Sequence, residues 1–126
     1  MTVIPPFDGV IRQHQQDEHI AWAMLPCACP QNHAANLLPL DDGSLMCVWF
    51  GGSQEGKADI SIWGSRLAPG SGRWSEAVKL SDDPDRSEQN PVLFQAPDNV
   101  LWLLWTAQFA GNQDTAIVRY RLSHDG

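Results

Sequence analysis

The sequence predicts an all-β fold built from β-propeller blades. Three observations carry this. Short apolar runs are bounded by Gly, Pro, Asp and Asn, no long window keeps a helical period, and a Trp-bearing unit occurs twice at nearly constant spacing. The 126 residues fit one ordinary domain, and 43% hydrophobic against 18% charged residues point to a packed core rather than a disordered tail.

The predicted strands follow in order. His19–Leu25 carries Trp22. Ala34–Leu40 stops at Asp41-Asp42-Gly43, a tight-turn signal. Ser44–Phe50 carries Trp49 and ends at Gly51-Gly52. Asp59–Leu67 carries Trp63 and ends at Ala68-Pro69-Gly70-Ser71-Gly72, beside Trp74. Ala77–Leu80 is short. Pro91–Gln95 precedes the turn Pro97-Asp98-Asn99, Val100–Ala107 carries Trp102 and Trp105, and Thr115–Leu122 closes the series.

The repeat sets the architecture. Asp42, Leu45 and Trp49 match Asp98, Leu101 and Trp105 at a separation of 56, while Asp59, Ile62, Arg66 and Leu67 match Asp114, Ile117, Arg121 and Leu122 at 55. A period near fifty in an all-β chain predicts blades of about four strands. The expected division is an N-terminal segment with an opening strand over 1–30, one blade over 31–80, and a second over 81–126. Two blades do not close a propeller. Either the chain is part of a longer protein or copies assemble, and open blade edges favour self-association.

Eight Lys+Arg against fifteen Asp+Glu leave a net charge of −7, which argues against nucleic acid and anionic membrane surfaces as partners. The apolar runs fall short of a membrane-spanning helix. Met1 to Val10 contains Pro5, Pro6 and Asp8 without a basic flank, unlike a signal peptide, so the expected compartment is the cytoplasm, or secretion if a leader was removed. Cys27, Cys29 and Cys47 are an odd count, which implies no disulfide framework. Cys27, Cys29 and His33 form C-x-C-x3-H, but zinc sites want four ligands at more regular spacing, so neither metal nor cofactor is expected.

Ser123-His124-Asp125-Gly126 matches the first half of an Asp-box, Ser-x-Asp-x-Gly-x-Thr-Trp. Ser65 through Trp74 occupies the corresponding place in the earlier unit, with the closing Trp but without the Asp. Asn32 to Leu37, Asp42 to Leu45, Trp49 to Gly52 and Asp59 to Trp63 resemble the first blade of the sialidase superfamily, in its BNR-repeat branch. Asn90 to Phe94 resembles the start of the next blade. The resemblance spans roughly residues 30 to 126 and implies the N-terminal part of a six-bladed propeller, with the chain stopping inside an Asp-box.

The family cleaves terminal sugars from glycans. Three arginines clamp the substrate carboxylate, an Asp is acid/base and a Tyr activated by a Glu is nucleophile, an exception to the two-carboxylate scheme. The resemblance places Asp59, after the Gly51–Ala58 loop, at the acid/base position. His33 stands where the family's first Arg belongs and offers hydrogen bonding to a sugar or acid/base chemistry instead. Asn32, Gln54, Glu55 and Asn90 are the candidate substrate-binding residues, with Gln89 beside them. Gln54 and Glu55 lie in a Gly-rich loop able to reach over a pocket. Asp59 also reads as a loop cap, since Asp114 repeats it. The sole tyrosine, Tyr120, does not fall at the nucleophile position.

Three functions are therefore expected to compete. One is part of a sialidase-like exo-glycoside hydrolase, inactive as these residues alone, whose partner is a glycan or small saccharide. Another is a carbohydrate-binding two-blade module that assembles into a ring. The third is a non-catalytic propeller used for protein contacts.

Overall fold

The computed structural model describes residues 6–27, 29–109 and 111–126. Among them there is no α-helix, and the strands form three antiparallel sheets. The first is a minimal pair, β1 (Arg12–Gln13) and β2 (Ala21–Trp22). The second has four strands in order: β3 (Gln31–Pro39), β4 (Leu45–Gly52), β5 (Ser61–Leu67) and β6 (Val78–Lys79). The third has β7 (Arg86–Gln95), β8 (Leu101–Phe109) and β9 (Ile117–Ser123), with a single 3-10 turn over Gln113–Thr115 before β9.

Each sheet turns where the sequence supplies the chemistry. Asp42 accepts from the Ser44 N–H and Asp98 from the Val100 N–H, so an Asx turn closes both first hairpins. Gly43 has φ +86° and Asn99 has φ +67°, in the left-handed region that these turns require.

The repeat holds in three dimensions with one correction. Trp49 faces Trp63 across β4 and β5, and Trp105 faces Arg119 across β8 and β9. Both 105 − 49 and 119 − 63 equal 56. The matches at 55 are therefore one residue out of register. The equivalents of Ile62, Arg66 and Leu67 are Val118, Leu122 and Ser123, not Ile117, Arg121 and Leu122, and Asp114 is not the mate of Asp59. With a side-chain period of two, that slip moves every residue to the opposite face of the sheet. The bulges repeat at 56 as well. Register shifts between His33 and Asn36 in β3 and between Gln89 and Val92 in β7, and Ala34 and Asn90 have φ +53° and +54°.

The strand bounds also shift. The expected first strand over His19–Leu25 is only Ala21–Trp22. β3 begins at Gln31 rather than Ala34, and β7 begins at Arg86 rather than Pro91. Ile60 N–H bonds Lys57 O, a turn, so Asp59 lies just outside the strand drawn from it.

The core lies between the two repeat units. Val48, Phe50 and Ile62 on one face of the first unit, with Leu40 and Ile60, pack on Leu93, Leu101, Leu103 and Trp105 of the second; Leu38, Met46 and Leu80 border them. At roughly 1.5–3 kcal/mol for each fully buried large apolar side chain, this cluster is the chief cohesive term between the units. Polar contacts also fix their relative position, among them Glu88 N–H to Ile60 O at 3.1 Å, Leu93 N–H to Asn36 Oδ1 at 2.9 Å, and Asp41 N–H to Gln95 Oε1 at 3.0 Å. Gly64 admits the last strand of its unit, because a Cβ there would lie 2.8 Å from Leu80 Cδ1.

The outer face of the first unit is crossed by the N-terminal segment. Trp74 N–H bonds Gly9 O, Ile11 N–H bonds Gly72 O, and Val10 bridges Arg73. Arg12 pairs with Asp8 and holds its carboxyl down at about 2. On the second unit's opposite face Val92, Phe94, Val118, Tyr120 and Leu122 are exposed.

Candidate functional site

The starts of β3 and β7 and the loops after β4 and β8 meet at one end of the two units. There they frame an open groove of about 700 Å³, lined by Gln31, Gln54, Glu55, Gln89, Gln108, Asn112, Gln113 and Asp114 with two glycines. Gly111 N–H bonds Gly56 O at 3.0 Å and joins the two loops across the floor. Arg86 braces the second loop from beneath. Its guanidinium donates to Ala107 O and Thr115 O and sits 4.0 Å over the Phe109 ring.

The groove's amides are partly fixed. Gln31 Oε1 accepts from Glu55 N–H at 3.1 Å, which leaves its NH₂ free to donate. Asn112 Oδ1 accepts from Asp114 N–H as the cap of the 3-10 turn. Gln89 is buried and donates to Ser87 Oγ at 2.8 Å, leaving its carbonyl as an acceptor.

The six residues singled out in the sequence do not converge. Gln54 and Glu55 line the groove. Asp59 is exposed, and both carboxylate oxygens accept from Ser53 N–H at 3.3 Å, closing the Gly-rich loop. Asn90 sits at the β7 bulge, exposed. Asn32 and His33 border a different cavity, of about 310 Å³, between β3, Trp49 and the N-terminal segment. His33 stacks on Phe50 with ring centroids 5.3 Å apart. Asn32, exposed beside this cavity, joins two partners: its Oδ1 accepts from Trp49 Nε1 at 3.0 Å and its NH₂ donates to Cys29 O at 2.9 Å. Gly51 makes room for it, since a Cβ there would lie 2.5 Å from Asn32 Oδ1.

Sequence reasoning missed Gln31, Gln108, Asn112 and Gln113. Isolated amides carry no motif, and only the pairing of strand ends assembles them. It also missed Glu88, 1% exposed, whose Oε2 accepts from Trp105 Nε1 at 2.6 Å. Glu88 is Asn32's repeat equivalent (88 − 32 = 56), so the repeat itself could have flagged it. Arg119 reaches Glu88 at 3.9 Å and also pairs with Asp83. The Asp85 N–H, with Arg119, holds the Asp83 carboxyl below its ordinary range.

Two of the cysteines, Cys29 and Cys47, are held toward the thiol form. Burial pushes the Cys47 thiol up, and burial with the neighbouring Cys27 does the same to Cys29. Among the described residues, no group of three or more His, Cys, Asp or Glu converges as a metal site would need.

The comparisons agree with this architecture. The chain is similar in structure to Hadza microbial sialidase Hz136, with a TM-score of 0.63 and 11% sequence identity over 77% of its length, and it spans 24% of that protein. At that identity the likeness shows the fold, the antiparallel sheets of part of a sialidase-like β-propeller. No curated protein matches the chain. The family model of the BNR repeat-like domain matches residues 43–126, from the first Asx turn through β9. The chain belongs to the BNR repeat-like domain family.

Proposed function

We propose that these residues are two blades of a sialidase-like propeller that acts on the terminal sugars of glycans, with the loop-end groove as their share of the glycan-facing surface. The four-stranded sheet is one blade and the three-stranded sheet its successor. The observation that carries the reading is the constant 56-residue register, bulges included, which brings the loops after β4 and β8 to one end over a shared polar groove. Loops at one end of a rigid scaffold are where function concentrates. Gln54 and Glu55 contact the saccharide. Asp59, at the hinge of its loop, and His33, on the neighbouring cavity, are the acid/base candidates, and Asn90 is a contact at the β7 bulge. Asn32 supports them through Trp49.

Hydrolysis needs groups that this pair of blades does not bring together, so the chain alone turns over no fluorogenic sialoside. Turnover abolished by Asp59→Asn would overturn the need for further blades. Saccharide contact is read separately, by saturation-transfer NMR with a mixed glycan pool. Contact is expected, and its absence on folded protein would overturn the glycan reading. A second reading, a carbohydrate-binding pair that rings up with its own copies, is favoured by the exposed Val92, Phe94, Val118, Tyr120 and Leu122. They occupy the face that, in the first blade, is covered by the second. Light scattering at three times the monomer mass would support it.

A further inference from the structure

We infer that the groove takes a neutral saccharide and discriminates against a carboxylate-bearing one. The inference rests on the glycan reading and narrows it to a substrate class. Among the described residues, no Lys, Arg or His lines the groove, whereas six amides do: Gln31, Gln54, Gln89, Gln108, Asn112 and Gln113. Among the described residues, the charges on its walls are the carboxylates of Glu55 and Asp114. Arg86 lies near, but its guanidinium is committed to the backbone carbonyls of Ala107 and Thr115.

Sugar hydroxyls both donate and accept, and an amide side chain matches each role with a different atom. The existing hydrogen bonds orient this set. Gln31 and Asn112 have their oxygens occupied and present NH₂ groups; Gln89 has its NH₂ occupied and presents a carbonyl. Gln89 at 4% and Gln108 at 6% exposure are held within the wall, so little side-chain freedom is lost on binding. Carboxylates accept strongly from hydroxyls but repel another carboxylate within a screening length of roughly 8 Å. An anionic sugar calls for the opposite lining, a guanidinium fork.

The test compares lactose, maltose and cellobiose with 3′-sialyllactose, which adds one anionic sugar to the lactose unit. The 126-residue protein is titrated with each while backbone amide signals are followed by NMR. At least one neutral disaccharide is expected to shift the signals of Gln54–Gly56 and Gly111–Asp114, with 3′-sialyllactose at least about tenfold weaker than lactose. The double variant Glu55→Gln/Asp114→Asn, at two exposed positions, is expected to shrink that gap to about threefold or less. Equal or tighter binding of 3′-sialyllactose in the groove would overturn the inference and leave the glycan reading standing. No response to any of the four sugars on folded protein would overturn both. Neutral binding that survives Gln54→Ala and Gln113→Ala unchanged would place the sugar elsewhere and overturn the assignment to this groove.

Discussion

Trp49 and Trp105 occupy equivalent positions in the two units, and each donates its indole N–H to the side chain seventeen residues earlier. In the first unit the acceptor is Asn32, at 3.0 Å; in the second it is Glu88, at 2.6 Å. The surroundings differ to match. Asn32 passes its own N–H to Cys29 O and lies beside Cys27, while Glu88 is neighboured by Arg119, itself paired with Asp83. Asp83 stands where the first unit has Cys27 and Arg119 where it has Trp63, both 56 residues on. One unit therefore carries a neutral network and the other a charged one at the same place in the fold. Location explains the difference. The first network borders a solvent-reaching cavity under the N-terminal segment, where a neutral amide suffices. The second is sealed between the units, where a carboxylate is stable only with a nearby cation and strong donors. Repeats thus preserve a hydrogen-bonding geometry while letting its charge follow burial.

The largest expected effect separates the two tryptophans. Trp105 lies in the inter-unit core, so Trp105→Ala should cost about 3–5 kcal/mol, most of a small domain's stability. Trp49 lines the 310 Å³ cavity, so the void left by Trp49→Ala opens onto existing space and should cost at least about 1 kcal/mol less. Urea midpoints of the two variants measure this, and equal losses would break the comparison.

A smaller effect tests the exchange of chemistry. Asn32→Asp keeps the acceptor for Trp49 but faces an anion toward Cys29 O without an arginine at hand. It should destabilise by about 0.5–1.5 kcal/mol at pH 7, the net worth of one lost hydrogen bond. Glu88→Gln keeps the acceptor for Trp105 and removes a buried charge, losing only the 3.9 Å contact to Arg119. Its change should stay within about 1 kcal/mol. Chemical denaturation at neutral pH measures both, and a larger loss in Glu88→Gln than in Asn32→Asp would reverse the argument.

Much of this frame is legible in the sequence, because turns and alternating apolar residues report on local physics. Asp42-Gly43 and Asp98-Asn99 mark their hairpins, and Trp49 and Trp105 mark equivalent strands. What was not legible depends on partners distant in the chain. Gln31-Asn32-His33 and Arg86–Asn90 are polar and fell outside the predicted strands, yet they are strands, since the ends of β4 and β8 supply their ladders. The one-residue error in the repeat arose because Ile, Arg and Leu recur on adjacent positions of β5 and β9. Only the cross-strand pairing of Trp63 and Arg119 resolves which face each occupies. The candidate site fared similarly. Gln54 and Glu55 were visible from their loop, whereas the amides opposite them lie more than fifty residues away: Gln108 at the end of β8, and Asn112 and Gln113 in the loop that meets theirs through Gly56 and Gly111.

The bulges give the finest test of the comparison. Ala34 and Asn90 share a left-handed backbone at equivalent positions, yet only Asn is suited to it, since its short polar side chain tolerates that region while a plain Cβ is crowded by roughly 1–2 kcal/mol. Glycine removes the crowding but widens the unfolded ensemble, which offsets part of the gain. Ala34→Gly should therefore stabilise by about 0.5–1 kcal/mol, and Asn90→Gly should change stability by less than about 0.5 kcal/mol. Paired urea titrations resolve that difference. A destabilised Ala34→Gly would mean that the first bulge is held without strain, and that the two bulges, alike in backbone, differ in how their neighbours support them.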